Sequence, residues 1–517
     1  MFGLLILLLT GLAVYYLIFA TIRKNFWKSR KVPGPPGSLI AGNFFELFDQ
    51  HKPWAVEIMK YTKKYGRVWG YMEGVMPALV IADPKIAHEV YTTRYEEFQS
   101  RKGNQLLRKT RMQPEMNLLD ARGARWKRLR TIANPQFSSN SLKRLLKSVS
   151  SCSDILVQFL EKEVDKPSIN IHRFYQEFSM DVINRIALGD QTSSQWQNDW
   201  VDGLKLVFEH DNREPFMFAA LAFPSLRPMV RVLNYLKMAA THSKLARLVG
   251  KVFASVQRRR DAREKHEQTP DDFLNMFLDL EDPHFSLDYD QAHDRAAERD
   301  MKAPPLQKVM TEKEILGSVL LFLFAGFDTT ANSLGYVTHH LARHRDVQQR
   351  LREDIQDTVV EGEDLTFEHL AEMKYLDCVV KESLRLHPTA TKVSARIAER
   401  ETELAGIHLP KGTMIQIDCY SMQRDPTIWG DDAEEFNPER WYSVTPEQQQ
   451  AYVPFGAGPR MCVGQRLGLN EVKLALAKVL LNFDIFLPED GPQTFDIIGA
   501  VTVAPVSINV KVKKLKA

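Results

Sequence analysis

Cysteine is scarce in this chain. Its 517 residues include only Cys152, Cys378, Cys419 and Cys462, which are widely dispersed and form no C-x-x-C pair. This dispersal argues against a disulfide framework and against a structural zinc site. We therefore expect the folded body to lie in a reducing compartment.

Net charge is also small. Lysine and arginine number 68 against 65 aspartates and glutamates, so nothing indicates wholesale binding of nucleic acid. No internal repeat is apparent, no Pro/Gly/Ser-rich linker divides the body, and no convincing dinucleotide-binding fingerprint occurs. With 44% hydrophobic residues the chain can bury a large core, and we expect one large domain.

Charge is absent from the first 22 residues, Met1 to Ile22. About 20 apolar residues span a bilayer as a helix, which predicts a transmembrane anchor over 1–22. A cleaved signal peptide is the alternative, but basic residues follow the apolar run instead of preceding it. They lie in a basic, Pro/Gly-rich hinge over 23–37, and by the positive-inside rule they place the body, residues 38–517, in the cytosol.

The body reads as mainly α with small β-sheets. Strand-like runs at 68–74 and 77–84 are bounded by turn residues and predict a hairpin. Helical patterns dominate from about Ile86, and residues 409–420 alternate like a strand of a second small sheet. Residues 281–305 lack an apolar stripe, so we expect a solvated loop there.

Cys462 lies in an unusual loop, FGAGPRMCVG, which runs from Phe455 to Gly464. Its glycines let backbone amides approach sulfur or a bulky ligand. A helix-forming segment follows, so Cys462 would lie near a helix N-terminus, where a thiolate is favoured. The alternative is a structural cysteine beside a Gly-rich turn.

A T-x-x-E capping box at Thr311 predicts the start of a long helix. Residues 315–327 are uncharged and apolar nearly all round, so this helix should be central and buried. Asp328 and Thr329 lie within it, after Gly326, which could open a local distortion for a small ligand or water. An acid beside an alcohol in a buried groove suits proton delivery. The alternative is a kinked helix with satisfied polar groups.

Two further pairs of residues have helical spacing, and each contains an arginine. Trp126 and Arg130 are four apart and could grip an anionic cofactor group, or belong to a basic surface helix. Glu382 and Arg385 are three apart, and a buried pair needs a second cation, for which Arg440 is the candidate. A solvated basic face, or one that steers an acidic partner, is predicted by Arg122, Arg125, Lys127, Arg128, Lys143, Arg144 and Lys147.

Three motifs together resemble those of the cytochrome P450 family, in particular its membrane-anchored animal members. FGAGPRMCVG matches F-x-x-G-x-R-x-C-x-G, AGFDTT matches [AG]-G-x-[DE]-T-[TS], and ESLR matches E-x-x-R, in the family's order. The chain particularly resembles the clan of broad-specificity drug and steroid oxidases and their nematode relatives. One departure is Trp441, where the family often has phenylalanine.

The resemblance implies a haem b cofactor and the family's mainly helical fold. It implies that Cys462 is the axial iron ligand, that Phe455 packs against the ligating loop, and that Asp328 and Thr329 deliver protons to bound oxygen. Glu382, Arg385 and Arg440 would form a structural charge triad. The residues that would bind the haem propionates are Trp126, Arg130, Arg396 and Arg460.

The function implied is insertion of one oxygen atom from O₂ into a lipophilic small molecule, such as a xenobiotic, a steroid or a fatty acid. Electrons would come from NADPH through a membrane-bound flavoprotein reductase, with a b-type cytochrome as a second donor. The reductase would dock near Arg128 and Lys143, at the endoplasmic reticulum membrane. Candidate pocket residues are Phe322, Phe324, Ala325, Phe327, Thr330, 389–393 and 500–503. An oxygen-independent haem-thiolate isomerase or dehydratase, and a haem sensor, are the alternatives.

Overall fold

Helices account for most of the chain and the strands form small sheets, as the sequence predicts. The computed structural model describes residues 2–47, 52–102, 116–197, 200–208, 215–241, 243–298, 301, 303–360, 362–499 and 501–515. Position 500, at the start of one predicted pocket segment, lies outside these ranges.

The helices, in chain order, are α1 (Phe2–Lys24), α2 (Phe26–Ser29), α3 (Phe44–Leu47), α4 (Trp54–Tyr65), α5 (Pro84–His88), α6 (Gly123–Ala133), α7 (Ser139–Glu161), α8 (Ile171–Leu188), α9 (Trp200–Phe208), α10 (Pro215–Ala222), α11 (Arg227–Thr241), α12 (Ser243–Glu264), α13 (Phe273–Asp279), α14 (Asp288–Glu298), α15 (Glu312–Arg343), α16 (Arg345–Thr358), α17 (Phe367–Glu372), α18 (Lys374–Leu386), α19 (Cys419–Met422), α20 (Pro426–Trp429), α21 (Pro446–Ala451) and α22 (Gln465–Asn482). The strands are β1 (Val68–Glu73), β2 (Met76–Ile81), β3 (Ile169–Asn170), β4 (Arg396–Ile397), β5 (Thr402–Leu404), β6 (Ile407–Leu409), β7 (Met414–Ile417), β8 (Phe483–Phe486), β9 (Ile497–Ile498), β10 (Ala504–Pro505) and β11 (Asn509–Lys514).

The central helix is α15, which packs along α8 and against α22 and α18. Its predicted capping box is confirmed: Thr311 accepts from the backbone of Glu314, whose carboxylate accepts from the backbone of Thr311. The helix is continuous through Gly326. An added Cβ at Gly326 would lie 2.8 Å from Cδ1 of Ile183 on α8, so this glycine permits close helix packing.

The predicted hairpin is confirmed, because β1 and β2 pair antiparallel from Val68↔Ile81 to Glu73↔Met76. The strand predicted within 409–420 also forms, as β7, but the second sheet assigned to it is wrong. β7 joins the hairpin's own sheet, parallel to β2, with β4 on its other side. A parallel neighbour is reached by a long crossover, which local alternation does not reveal.

The loop predicted over 281–305 is wrong in part, because α14 lies within it. Asp290 of α14 is buried and pairs with the fully buried Arg128 at 2.7 Å, and Glu314 pairs with the same guanidinium at 2.8 Å. The helix is held by this buried ion cluster and not by an apolar stripe. Hydrophobic periodicity therefore could not find it.

The N-terminal helix α1 exposes large apolar side chains, among them Leu7, Leu17 and Ile22. The basic segment after it is packed on the body, where the indole of Trp27 donates to the carbonyl of Tyr71 at 2.8 Å. Among the residues searched as possible membrane spans, one helix, α15, is long and apolar enough to cross a membrane by composition. Most of α15 is buried inside the protein.

Candidate active site

Cys462 is held by a tight loop between a short 3₁₀ turn, Gly458–Arg460, and the start of α22. Its backbone N–H donates to the carbonyl of Phe455 at 3.0 Å, which closes the loop. Gly458 has φ +69°, and a Cβ there would lie 1.9 Å from the carbonyl oxygen of Tyr91. Only glycine fits that position, so the loop's course depends on it.

Cys462 is exposed to solvent, but the protein atoms packed around its sulfur raise the pKa of the thiol above its usual range. Backbone N–H groups of Gly464 and Gln465 at the start of α22, and the guanidiniums of Arg101 and Arg130, act in the opposite direction and favour the thiolate. A bound metal cation would favour it further, because a coordinating thiol loses its proton.

The predicted anion-binding residues lie together beside this loop. Trp126 is buried, and the guanidinium of Arg460 lies over its ring at 4.7 Å. Arg130 donates to the carbonyl of Met461 at 2.8 Å, next to the cysteine. Arg396 is fully enclosed, with its guanidinium 4.8 Å from the ring of Tyr91.

A fourth guanidinium, that of Arg101, was missed by sequence reasoning because no local motif surrounds it. It donates to the carbonyls of Val393 at 3.1 Å and Arg460 at 3.0 Å. Burial and the neighbouring Arg396 and Arg460 lower the pKa of Arg101 to about 9, and burial lowers that of Arg460 to about 10. Both pKa shifts indicate that a nearby anion would stabilise the charged form of these guanidiniums.

These guanidiniums still have donors to offer. The Nε atoms of Arg101, Arg396 and Arg460 are buried and have no hydrogen-bond partner. Within the described residues, no carboxylate forms an ion pair with any of these three or with Arg130. Unpaired buried cations are costly, so the geometry calls for a ligand with more than one negative charge. The two propionates of a haem fit that requirement.

Asp328 and Thr329 lie on α15 but do not contact each other through their side chains. The Asp328 carboxylate is buried and accepts from the hydroxyl of Thr502 at 2.5 Å and the amide of Asn332 at 2.8 Å. Thr329 donates back to the carbonyl of Ala325 at 2.7 Å. Thr502 was named only as part of a pocket segment, and its contact with Asp328 spans 174 positions that no motif links.

Comparison with known proteins places these features in a family. The cytochrome P450 family model matches residues 32–512. The chain belongs to the cytochrome P450 family. It is 34% identical to cytochrome P450 cyp-13B1 of Caenorhabditis elegans, over 97% of this chain and 99% of that protein. It is 35% identical to cytochrome P450 CYP13A7 of the same nematode, over 98% of each chain.

Membership makes this cytochrome P450 a haem-thiolate monooxygenase, with haem as its cofactor and a cysteine thiolate as the axial iron ligand. It also implies a redox partner, O₂ and, in general, a lipophilic substrate. Among the four cysteines of this P450, Cys152, Cys378 and Cys419 are buried within the protein. Cys462 is the exposed one.

The charge triad predicted for this P450 is confirmed as a contact. Glu382 accepts from Arg385 at 2.8 Å and from Arg440 at 2.9 Å, in a fully buried setting. Trp441, the residue that departs from the family's usual phenylalanine, donates its indole N–H to the same carboxylate at 3.0 Å. Asn437 adds a backbone N–H at 3.0 Å. The departure thus adds a donor to a buried charge.

Three of the predicted pocket residues of this P450 are buried against other side chains. Phe322 packs in a ring cluster with Phe137, Phe273 and Phe277, and Phe327 is completely buried in the core. Thr330 donates to the buried carboxyl of Glu471 on α22 at 3.1 Å. Ala325 is exposed and Phe324 half-buried. Ala325, four residues before Thr329, lies on the same face of α15, and the Thr329 hydroxyl donates to its carbonyl.

The basic face of this P450 also needs correction. Arg125 and Arg128 are buried and pair with Glu314, so they cannot contact a docking protein. The exposed members are on α7, where Lys143 pairs with Glu368 and Lys147 is exposed. A run of arginines and lysines in sequence therefore overstates the charge available at the surface.

Proposed function

We propose that this P450 inserts one oxygen atom from O₂ into a lipophilic small molecule of the xenobiotic, steroid or fatty-acid class. Its electrons come from NADPH through a membrane-bound flavoprotein reductase, with a b-type cytochrome as a second donor. The observation that carries the site assignment is the convergence of four guanidiniums without a carboxylate partner among the described residues, beside the exposed Cys462.

Each side chain of the site has a defined task in this proposal. Cys462 would ligate the iron, Phe455 would pack against the ligating loop, and the propionates would be bound by Trp126 and the four arginines, Arg101, Arg130, Arg396 and Arg460. When bound, haem supplies an iron centre that activates O₂ with two electrons arriving singly and with thiolate donation aiding O–O cleavage.

Protons reach the oxygen through α15. We assign Asp328 as the acid and Thr329 as the alcohol of this route. A small cavity of about 50 Å³, whose lining includes Asp328, Thr502, His172 and Lys205, is large enough for water. The Asn332 amide connects Asp328 with His172, because its nitrogen donates to the Asp328 carboxylate and its oxygen lies 2.8 Å from Nε2 of His172. Thr502 and Asn332 therefore position the carboxylate.

The test of the cofactor assignment is the reduced carbon monoxide complex. We expect the red-shifted Soret band of thiolate ligation, and its loss in Cys462→Ala. An unchanged band in that variant would contradict the assignment. Turnover with NADPH and a reductase then separates a monooxygenase from a haem sensor or an oxygen-independent isomerase, neither of which consumes O₂ stoichiometrically with NADPH.

The proton route is tested by coupling. Thr329→Ala should divert electrons from product into hydrogen peroxide, seen as less product and more peroxide per NADPH consumed. Thr358→Ala is the matched control, because Thr358 on α16 makes the same backbone hydrogen bond four residues back. Equal coupling in the two variants would refute the role of Thr329.

We further propose that this P450 is a single-pass protein of the endoplasmic reticulum membrane with its catalytic domain in the cytosol. Support comes from the exposed apolar side chains of α1 and from a second exposed apolar group on α11, which includes Met229, Val232 and Leu236. The hydroxyl of Tyr16 on α1 donates to the carbonyl of Ala222 at 3.3 Å, so α1 contacts the end of α10, which precedes α11 in the chain. Co-sedimentation with microsomes after alkaline carbonate washing, and protease digestion of the body from the cytosolic side, test this arrangement.

A further inference from the structure

A cavity of about 670 Å³ lies where the end of α1, α2, the start of β2 and the turn between β6 and β7 meet. Its described lining shares no residue with the proposed haem site. Among the described residues that line it, none is acidic and six are basic. These are Arg23, Arg30, Lys102, Arg122, Arg227 and Lys411.

The positive charge of this cavity is poorly balanced by the protein. Lys102 pairs with Glu73. Within the described residues, Arg23, Arg30, Arg227 and Lys411 form no ion pair with a carboxylate. Several like charges around one space repel each other and destabilise the compact state. An anion in the cavity would relieve that repulsion.

Two of these arginines are held in place with donors to spare. Arg30 stacks on the ring of Phe26 at 3.8 Å and donates to the carbonyls of Phe26 and His408, each at 3.2 Å. Arg227 donates its Nε–H to the carbonyl of Ala220 at 2.7 Å. A guanidinium carries five N–H donors, so both retain several for phosphate oxygens.

The remaining walls are mostly apolar, apart from Ser29 and Thr413, and continue toward the exposed apolar helices. Phe19, Ile22 and Phe26 line one side of the cavity, and Met76 and Pro77 another. Arg227 begins α11, whose exposed apolar side chains follow it in sequence. A volume of this size exceeds what a free phosphate needs. A ligand with an anionic head and an apolar tail matches both kinds of wall.

We propose that this cavity binds the phosphate headgroup of an anionic phospholipid from the membrane in which α1 is anchored. The inference rests on the proposed membrane attachment for the source of the lipid, but not on the oxygenase chemistry. Residues just beyond a membrane helix lie at headgroup level, and basic side chains there attract anionic lipids. Bound lipid would fix the basic hinge and α11 against each other.

The experiment is calorimetric titration of the full-length, haem-loaded protein in a neutral detergent with monomeric dihexanoyl phosphatidylglycerol. We expect saturable binding of one lipid per chain. Dihexanoyl phosphatidylcholine, inorganic phosphate and hexanoate should each bind at least about tenfold more weakly. Arg30→Gln with Arg227→Gln should weaken phosphatidylglycerol binding at least about tenfold, while Lys143→Gln with Lys147→Gln, which removes the same charge from α7, should change it less than twofold.

Each contrary outcome is decisive. If phosphatidylcholine binds as tightly as phosphatidylglycerol, the site is not specific for anionic lipids. If inorganic phosphate binds as tightly, the cavity is a simple anion site. If hexanoate binds as tightly, the cavity is an entry for carboxylate substrates. An unaffected glutamine pair would place the lipid elsewhere. If that pair misfolds, Arg30→Lys with Arg227→Lys, which keeps the charge, should retain affinity within about threefold, and a larger loss contradicts the proposal. The carbon monoxide spectrum reports separately on the proposed function.

Discussion

Glu471 is a buried carboxyl on α22 whose hydrogen-bond partner in the described residues is the hydroxyl of Thr330. Burial raises its pKa to about 8, so the folded protein keeps a proton that the unfolded chain releases near its ordinary value of 4.5. Its stabilising effect is greatest below the unfolded pKa and is lost as pH rises toward 8. The slope is about 1.4 kcal/mol per pH unit for one proton.

Glu471→Gln removes that titration while keeping an amide that can accept from Thr330. We expect the variant to lose less stability than the parent between pH 6 and pH 8, measured as the midpoint of urea unfolding at each pH. The expected difference in slope is about 1 kcal/mol per pH unit. Parallel pH profiles for the two proteins would contradict a neutral Glu471.

Trp441, which departs from the family pattern, makes a hydrogen bond that phenylalanine could not make. Its indole N–H donates to the Glu382 carboxylate, which also neutralises Arg385 and Arg440. A hydrogen bond to a charged group contributes about 1.5–3 kcal/mol, against about 1 kcal/mol for a neutral pair. The tryptophan therefore stabilises the charge triad more than the family's usual phenylalanine could.

Trp441→Phe should consequently destabilise the protein by about 1.5–3 kcal/mol, measured by urea unfolding. The matched comparison is Trp441→Phe in a Glu382→Gln background, because the same side-chain volume is removed while the acceptor is neutral. The loss there should be nearer 1 kcal/mol. Equal losses in the two backgrounds would show that the charge of Glu382 is not what matters.

At the scale of elements, α15 and α8 form the most extensive contact of the fold, and Gly326 is where they approach closely. A Cβ there would meet Cδ1 of Ile183 at 2.8 Å and Cγ1 at 3.0 Å. Gly326→Ala should therefore destabilise the protein by about 1–3 kcal/mol despite alanine's better helix propensity. Thermal and urea unfolding would measure the loss.

Gly250 on α12 provides the comparison, because nothing lies within 4 Å of a Cβ built there. Gly250→Ala should stabilise by about 0.5–1 kcal/mol. Ile183→Val removes the Cδ1 atom, so it should partly rescue Gly326→Ala. Additive losses in the double variant would rule out the steric contact with Ile183 as the cause.

Elements were predictable where their signal is local. The capping box at Thr311 and the apolar run after it define α15 within a few residues, and the turn residues around 74–77 define the β1–β2 hairpin. The partner of β7 and the existence of α14 could not be predicted in this way. β7 reaches β2 through more than 300 intervening residues, and α14 depends on the buried pairing of Asp290 with Arg128.

At the scale of the whole molecule, the site also divides into residues that local sequence predicts and residues that only the tertiary structure reveals. Motif residues such as Cys462, Asp328 and Arg385 are identified by spacing, because their chemistry is carried by close sequence neighbours. Arg101 and the Asp328 contact of Thr502 have no such neighbours and are brought to the site by tertiary structure. Burial also removes charge from the surface, since Arg125 and Arg128 are hydrogen-bonded to Glu314 and are not available to a partner protein.

The exposed charge on α7 carries the last prediction. A reductase that docks by an acidic surface would be attracted by Lys143 and Lys147, and rim charges act mainly on association and its salt dependence. Lys143→Gln with Lys147→Gln should raise the KM for reductase about two- to fivefold at low ionic strength, with little change in kcat. The difference should shrink at about 0.5 M salt, because the Debye length then falls well below 10 Å.

Lys60→Gln with Lys64→Gln on α4 is the control, since these exposed lysines carry the same charge on a different helix. Its KM for reductase should stay within about 1.5-fold of the parent. The carbon monoxide spectrum should be the same in all three proteins, because none of these lysines belongs to the haem site. Equal effects of the two pairs would indicate that net charge acts on the reductase, and not a docking face on α7.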